Sequence, residues 1–233
     1  MHVDESDGDD NDNDSFDLDA AYAVETPDDN RQLYKSWAAT YDTGFVDKNK
    51  YSYPKRITEI CAASVSATDV LRVIDIGCGT GVVGVRLSEL LPHAVIDGAD
   101  ISAEMLHIAL SKLRSDGSPV YGELGEVDLT LPITFARSRY DILISAGTFT
   151  HGHLGPDALI AVVSTLKPGG QAFVGINKQH FVANDFERAL QRAVAAQLIT
   201  EPTFIEIQMY DEGSAHFGDV AMVALFRRSV SGS

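Results

Sequence analysis

The sequence predicts an α/β fold built on a doubly wound, mostly parallel sheet. Three observations carry that expectation. From Leu71 onward, short apolar, β-branched runs alternate with helical stretches of about a dozen residues, the pattern of parallel strands joined by crossovers. The first run ends in a cluster of glycines that opens a helix. The last two runs follow one another across a short link around Gly213 and Gly218. Such a link suits a hairpin and not a crossover, so one strand must run backwards. The expectation is seven strands, six parallel and one antiparallel, preceded by N-terminal capping helices.

Composition bounds the reading. The chain has 233 residues, 45% of them hydrophobic and 22% charged, an ordinary globular balance for one domain with or without an extension. No apolar run approaches the ~20 residues of a spanning helix, and the N-terminus has neither the basic region nor the apolar core of a secretory signal. Two cysteines, Cys61 and Cys78, exclude a disulfide scaffold or a four-cysteine zinc site and fit a reducing cytoplasm. The net charge is −16, and seven of the acids lie in residues 1–15 with no Lys or Arg among them. The other 218 residues hold 27 acids and 18 bases, hence −9. Such a surface repels phosphate backbones, so neither nucleic acid nor membrane is expected as a partner.

The chain divides accordingly. Residues 1–15 are an Asp/Asn/Gly/Ser tract with too little apolar surface to offset chain entropy, and read as a disordered acidic tail. Such a tail is either simply solvated or a docking segment for a basic partner. Residues 16–233 read as a single domain, with a helical cap over 16–66 and the α/β core over 67–233.

The elements follow in order. Thr26 can cap a helix starting at Pro27, where Asp28 and Asp29 suit the positive end of its dipole, and Leu33, Tyr34, Trp37 and Tyr41 share one broad face. A second helix runs from about Tyr53 to Ala63. Strands are expected at Leu71–Ile76, Ala94–Ala99, Pro119–Gly122, Tyr140–Ser145, Gln171–Ile176, Thr203–Met209 and Val220–Phe226. Helices are expected at Val82–Leu91, Ala103–Arg114, Pro156–Leu166 and Asn184–Gln197, with a turn at Lys167–Gly170.

The central motif is Val73-Ile-Asp-Ile-Gly77-Cys-Gly79-Thr-Gly81, at a strand end and opening a helix. Glycines there let a ligand approach bare backbone. Gly79-Thr-Gly81-Val-Val-Gly84 also satisfies the dinucleotide pattern, but Asp75 beside the loop would repel a pyrophosphate. The whole stretch resembles the first motif of class I S-adenosylmethionine-dependent methyltransferases, a Rossmann-like family. The resemblance implies that Asp75 accepts from the ammonium of S-adenosyl-L-methionine, and that Gly77, Cys78, Gly79 and Gly81 cradle that cofactor. Further segments resemble the family in order. Asp100 closes the second strand like the ribose-binding acid, and Ile101 and Met105 take adenine-side positions. Asp128 and Leu129 match the segment after the third strand, where the acid accepts from the adenine amino group. Leu33–Asp42 and Ser145–His153 resemble the Williams–Beuren region methyltransferase-like subgroup, whose substrates are poorly defined. The likeness implies methyl transfer, with Ser145 and Tyr41 among the cofactor contacts.

The acceptor is less legible. A sulfonium makes its methyl intrinsically electrophilic, so the protein supplies alignment and a dry pocket, and sometimes a base. The loop Ser145–His153 holds the candidates. His151 is either the base or a residue that orders the loop, and Thr148, His153 and Trp37 are candidate acceptor contacts. Trp37 and Tyr41 equally suit ordinary helix packing. A metal set from His151 and His153 with Asp157 or Asp141 has weak spacing support, and no metal is assigned. Cys78 reads as a small loop residue and Cys61 as core. The absence of an asparagine-proline-proline-aromatic signature after Ile144 argues against adenine or glutamine as acceptor. The expectation is a small-molecule methyltransferase, with a protein methyltransferase or a non-catalytic cofactor-binding protein as alternatives.

Overall fold

The computed structural model describes residues 26–38, 40–133, 137–150 and 154–230. The acidic tract 1–15 and both loop histidines, His151 and His153, lie outside them.

The described chain begins with α1 (Pro27–Trp37). Thr26 and Asp29 close a reciprocal capping box, the Asp29 N–H donating to the Thr26 hydroxyl and the Thr26 N–H to the Asp29 carboxylate. A π-helical segment, Tyr41–Asp47, follows, then α2 (Tyr53–Ala63). The core continues as β1 (Arg72–Ile76), α3 (Val82–Leu90), β2 (Val95–Asp100), α4 (Ala103–Leu110), β3 (Tyr121–Glu126) and β4 (Tyr140–Phe149). After these come α5 (Pro156–Val162), β5 (Leu166–Asn177), α6 (Lys178–Ala183), α7 (Phe186–Ala195), β6 (Thr203–Gln208) and β7 (Val220–Arg227).

The seven strands form one mixed sheet in the order β3-β2-β1-β4-β5-β7-β6. The pairs β1–β2, β1–β4, β2–β3 and β4–β5 are parallel, and β7 is antiparallel to both of its neighbours. Alternation along β1 puts Val73 in the core under α2 and α3, and Ile74 and Ile76 in the core under α5 and α7. The chain travels outward from β1 to β3 and returns to β4 beside β1. The connections leaving β1 and β4 therefore part in opposite directions, opening a crevice at their carboxyl ends.

Several boundaries differ from the sequence expectation, each for a local reason. The helix expected to reach Arg114 stops at Leu110, because Leu113 pairs with Pro119 in a tight hairpin around Gly117. The third strand is consequently Tyr121–Glu126; as a sheet edge it needs no apolar alternation, so its polar sequence hid it. β4 runs on past Ser145 to Phe149 through a register shift at Gly147, φ +86°. The predicted turn 167–170 is a similar shift inside β5. The short helix α6, capped by Asn177, and the π-helical segment had no sequence signal.

Candidate functional site

A cleft lies over the β1/β4 divide. Its base is the loop after β1. Gly77 has φ +68°, and a Cβ there would sit 1.9 Å from the Thr148 hydroxyl oxygen, so only glycine lets the ends of β1 and β4 close this far. The Gly77 and Cys78 N–H groups donate to the Ala99 carbonyl at 2.7 and 3.1 Å, holding the loop against β2. A Cβ on Gly79, φ +52°, would meet nothing within 4 Å, so a stretch of bare backbone lies open to the cleft.

Two carboxylates stand at successive strand ends. Asp100 receives the Gly79 N–H at 2.8 Å and the Ser102 N–H at 2.9 Å. Burial raises its pKa and those backbone donors oppose the rise. Asp128 receives the Thr130 N–H and hydroxyl at 2.9 and 2.6 Å on one oxygen, and Arg31 at 3.3 Å on the other. Ile101, Met105 and Leu129 complete this half of the lining.

The roof comes from α1 and the π-helical segment. Tyr34, Trp37, Tyr41 and Phe45 line the cleft, with Trp37 stacked on Phe45 at 6.2 Å and Tyr41 on Phe45 at 5.0 Å between ring centres. Burial, and then the Asp100 charge, push the Tyr34 phenol up to about 12. Asp42 fastens this roof down. One carboxylate oxygen receives the buried Thr80 hydroxyl from the glycine loop, and the other receives Lys112 from beyond α4. At the far end, an isolated bridge between Tyr51 and Tyr210 brings both rings to the lining, beside Met209 and Gly147.

Residues 73–170 match a family model described as a methyltransferase domain. Over this stretch, 98 of the 233 residues, the chain is similar to methyltransferase domains. Similar proteins include the malonyl-[acyl-carrier protein] O-methyltransferase of Priestia megaterium, 27% identical over 60% of this chain and 50% of that protein. The 18S rRNA (guanine-N(7))-methyltransferase of Arabidopsis thaliana is 37% identical over 34% of this chain and 30% of its own length. The matched stretches thus span half or less of these relatives. Among solved structures, the magnesium protoporphyrin IX methyltransferase of Synechocystis PCC 6803 with bound SAM aligns with a TM-score of 0.61 at 18% identity, over 89% of this chain and 99% of that one. The [4+2]-cyclase SpnF aligns at 0.63 and 16% identity, over 90% and 98%. At such identities these structures establish the fold alone.

Within the cleft and its roof, most residues singled out from the sequence converge. Gly77, Cys78, Gly79, Asp100, Ile101, Met105, Asp128, Leu129, Thr148, Trp37 and Tyr41 all line the cleft. Three do not. Asp75 shares the α3-side face of β1 with Val73 and is fully buried beneath the loop, where one oxygen takes the Tyr121 hydroxyl at 2.8 Å and the other has no partner among the described residues. Any part it plays toward a ligand passes through the loop. Gly81 packs against the Tyr121 ring, outside the lining. Ser145 is fully buried and donates to the Ile76 carbonyl at 2.8 Å, which ties β4 to β1. Thr148 donates to that same carbonyl at 2.9 Å, so toward a ligand its hydroxyl oxygen can only accept. Asp141 sits at the start of β4, where it holds Lys167 and the Arg72 N–H. Cys78 is 5% exposed, and burial followed by the charges of Asp75 and Asp100 pushes its thiol well up, so it is no thiolate nucleophile.

Sequence reasoning missed Asp42 as a fastening, and Phe45, Tyr51, Met209 and Tyr210 as lining. Asp42 stood next to Tyr41 in a quoted motif, but its partners lie 38 and 70 residues away. Tyr51 and Tyr210 are brought together only by the closing of the sheet.

Proposed function

We propose that the protein transfers the methyl of S-adenosyl-L-methionine directly, in line, to a small-molecule acceptor. The supporting observation is the donor set at the β1/β4 divide: open loop backbone at Gly79 beside the Asp100 carboxylate, with Asp128 at the next strand end. Carboxylates with spare lone pairs accept from a ribose diol and from an adenine amino group, which NAD shares, so the choice of this cofactor rests on the likeness to methyltransferase domains. When bound, the cofactor supplies an electrophilic methyl on a sulfonium. Asp100 takes the ribose hydroxyls, Asp128 and Leu129 the adenine edge, and Ile101 and Met105 pack on the adenine. Asp42 keeps the roof closed over them and so excludes water. His151 is the candidate base, with His153, Thr148 and Trp37 beside the acceptor. The domain extends over 16–233, with 16–66 as its cap, in a cytoplasmic protein.

The Leu33–Asp42 and Ser145–His153 stretches support the Williams–Beuren-like subgroup. Relatives named for malonyl-[acyl-carrier protein] and for ribosomal RNA leave the acceptor class to charge, and a net −16 favours a small molecule over RNA. Among the described residues, no helix is long and apolar enough to cross a membrane. A second reading is a protein that binds the cofactor without transferring its methyl, because the fold alone does not fix the reaction.

Two measurements test this. S-adenosylhomocysteine at 100 times its Kd should stabilise the protein by about 2.7 kcal/mol in a melting titration, and NAD should not. Methyl-labelled donor incubated with metabolite extracts should then label a small product only when the protein is present. Tight NAD binding without response to S-adenosylhomocysteine would overturn the cofactor. Binding without labelled product would favour the second reading.

A further inference from the structure

We infer that the acceptor is an uncharged aromatic small molecule. This rests on the methyltransferase reading and narrows it. The cleft has two unlike halves. Asp100 and Asp128 stand in one, and among the described lining residues they are the only charged side chains. The other half lies between the roof and the end of β6, lined by Trp37, Tyr41, Phe45, Tyr51, Met209 and Tyr210.

Charge decides against an anion. No Lys or Arg is among the described lining residues. The bases near the rim are already committed: Arg31 to Asp128 at 3.3 Å, Lys35 to Glu104 at 3.7 Å and Lys112 to Asp42. A carboxylate or phosphate entering this half would shed its hydration and find no Lys or Arg among the described lining residues to replace it. The phenols do not substitute for one, since burial lifts Tyr41 and Tyr51 well above the ordinary phenol value and keeps them neutral.

A cation fares little better. The two carboxylates belong to the other half and are engaged by backbone and side-chain donors. The sulfonium of the donor is itself positive, so a second cation beside it is repelled.

Ring geometry selects for flatness. Phe45 lies 5.0 Å from Tyr41 and 5.1 Å from Tyr51, and Tyr51 lies 5.2 Å from Tyr210, centre to centre. That makes a continuous aromatic wall, on which a planar ring gains offset and edge contacts beyond its area burial. The wall also has a polar end. The Tyr51 hydroxyl lies 3.1 Å from where a Gly147 side chain would start, next to the carboxyl end of β4 and the donor loop. A neutral aromatic molecule with one hydroxyl matches both features.

Three probes of one shape test this: 2-naphthol, 2-naphthoate and 2-naphthylmethylammonium, titrated by NMR at neutral pH into protein saturated with S-adenosylhomocysteine. The calorimetric binding of S-adenosylhomocysteine is measured first, so failure of the cofactor reading is seen separately. 2-Naphthol should bind at least about tenfold more tightly than either charged probe, since an unpaired charge is costly to desolvate. Trp37→Ala and Tyr51→Phe should each weaken naphthol about threefold or more while leaving S-adenosylhomocysteine affinity intact, which also reports that the variants fold. Equal or tighter binding of the naphthoate or the ammonium, or no naphthol binding to the loaded protein, would overturn the inference. So would naphthol binding that ignores both substitutions.

Discussion

At Asp75, sequence and structure assign the same carboxylate different neighbours. Its place before the glycine loop suggests a ligand contact, yet the side chain is turned under the loop toward Tyr121. Burial raises its pKa from 3.8 to about 7; the Tyr121 hydrogen bond opposes the rise and the Asp100 charge adds to it. Between about pH 4 and 7 the native state therefore binds more protons at this site than the unfolded chain. The contribution of Asp75 to stability falls as pH rises through that window, and above it the buried charge weighs in full. Asp75→Asn keeps an acceptor for Tyr121 and removes the charge. The variant should melt above the wild type at pH 8, by an amount corresponding to as much as a few kcal/mol, and the margin should vanish near pH 4. Melting curves at the two pH values decide it: a margin independent of pH, or a variant less stable at pH 8, would show that the charge is compensated in the native state.

Among the elements, the roof and the glycine loop are coupled by a few polar ties of unequal weight. Asp42 sits in a π-helical segment, a form that the amphipathic spacing of Leu33 to Tyr41 does not anticipate. Its carboxylate receives Thr80, which is 1% exposed, and Lys112. Asp42→Ala leaves the Thr80 hydroxyl buried without its acceptor and should cost about 1–3 kcal/mol in urea unfolding. Arg31→Ala breaks the tie to Asp128 at the open rim, where the Arg31 side chain is 38% exposed, and should cost at most about 1 kcal/mol. Comparable losses for the two would mean that the roof is not held chiefly through Asp42. The strands β1, β2 and β4 were legible because each is an apolar run ending in a chemically distinct residue. β3 was displaced because edge strands carry no such pattern, and α6 because one capped turn has too few residues for a period.

On the scale of the whole molecule, charge and topology together carry the proposed function. Residues 1–15 carry seven of the 34 acids. Their composition predicts a solvated tail, so removing them should shift stability by no more than about 0.5 kcal/mol and should leave S-adenosylhomocysteine affinity unchanged. Thermal melting and calorimetry of the truncated chain check this, and a large loss of either would show that the acidic tract docks on the domain. The half of the cleft proposed for the cofactor could be read from sequence. Gly77, Gly79, Asp100 and Asp128 each lie at the end of one strand, and a parallel α/β sheet gathers such ends at one edge whatever the loops do. The acceptor half could not. Tyr51 and Tyr210 meet only because β6 and β7 complete the sheet, and Asp42 reaches Thr80 only once α1 is laid across the cleft. Local pattern therefore determined the proposed donor site, because its residues are set by strand ends. Tertiary closure decided the roof, the aromatic chamber, and the fates of Asp75 and Ser145, because those depend on partners that no short stretch of sequence contains.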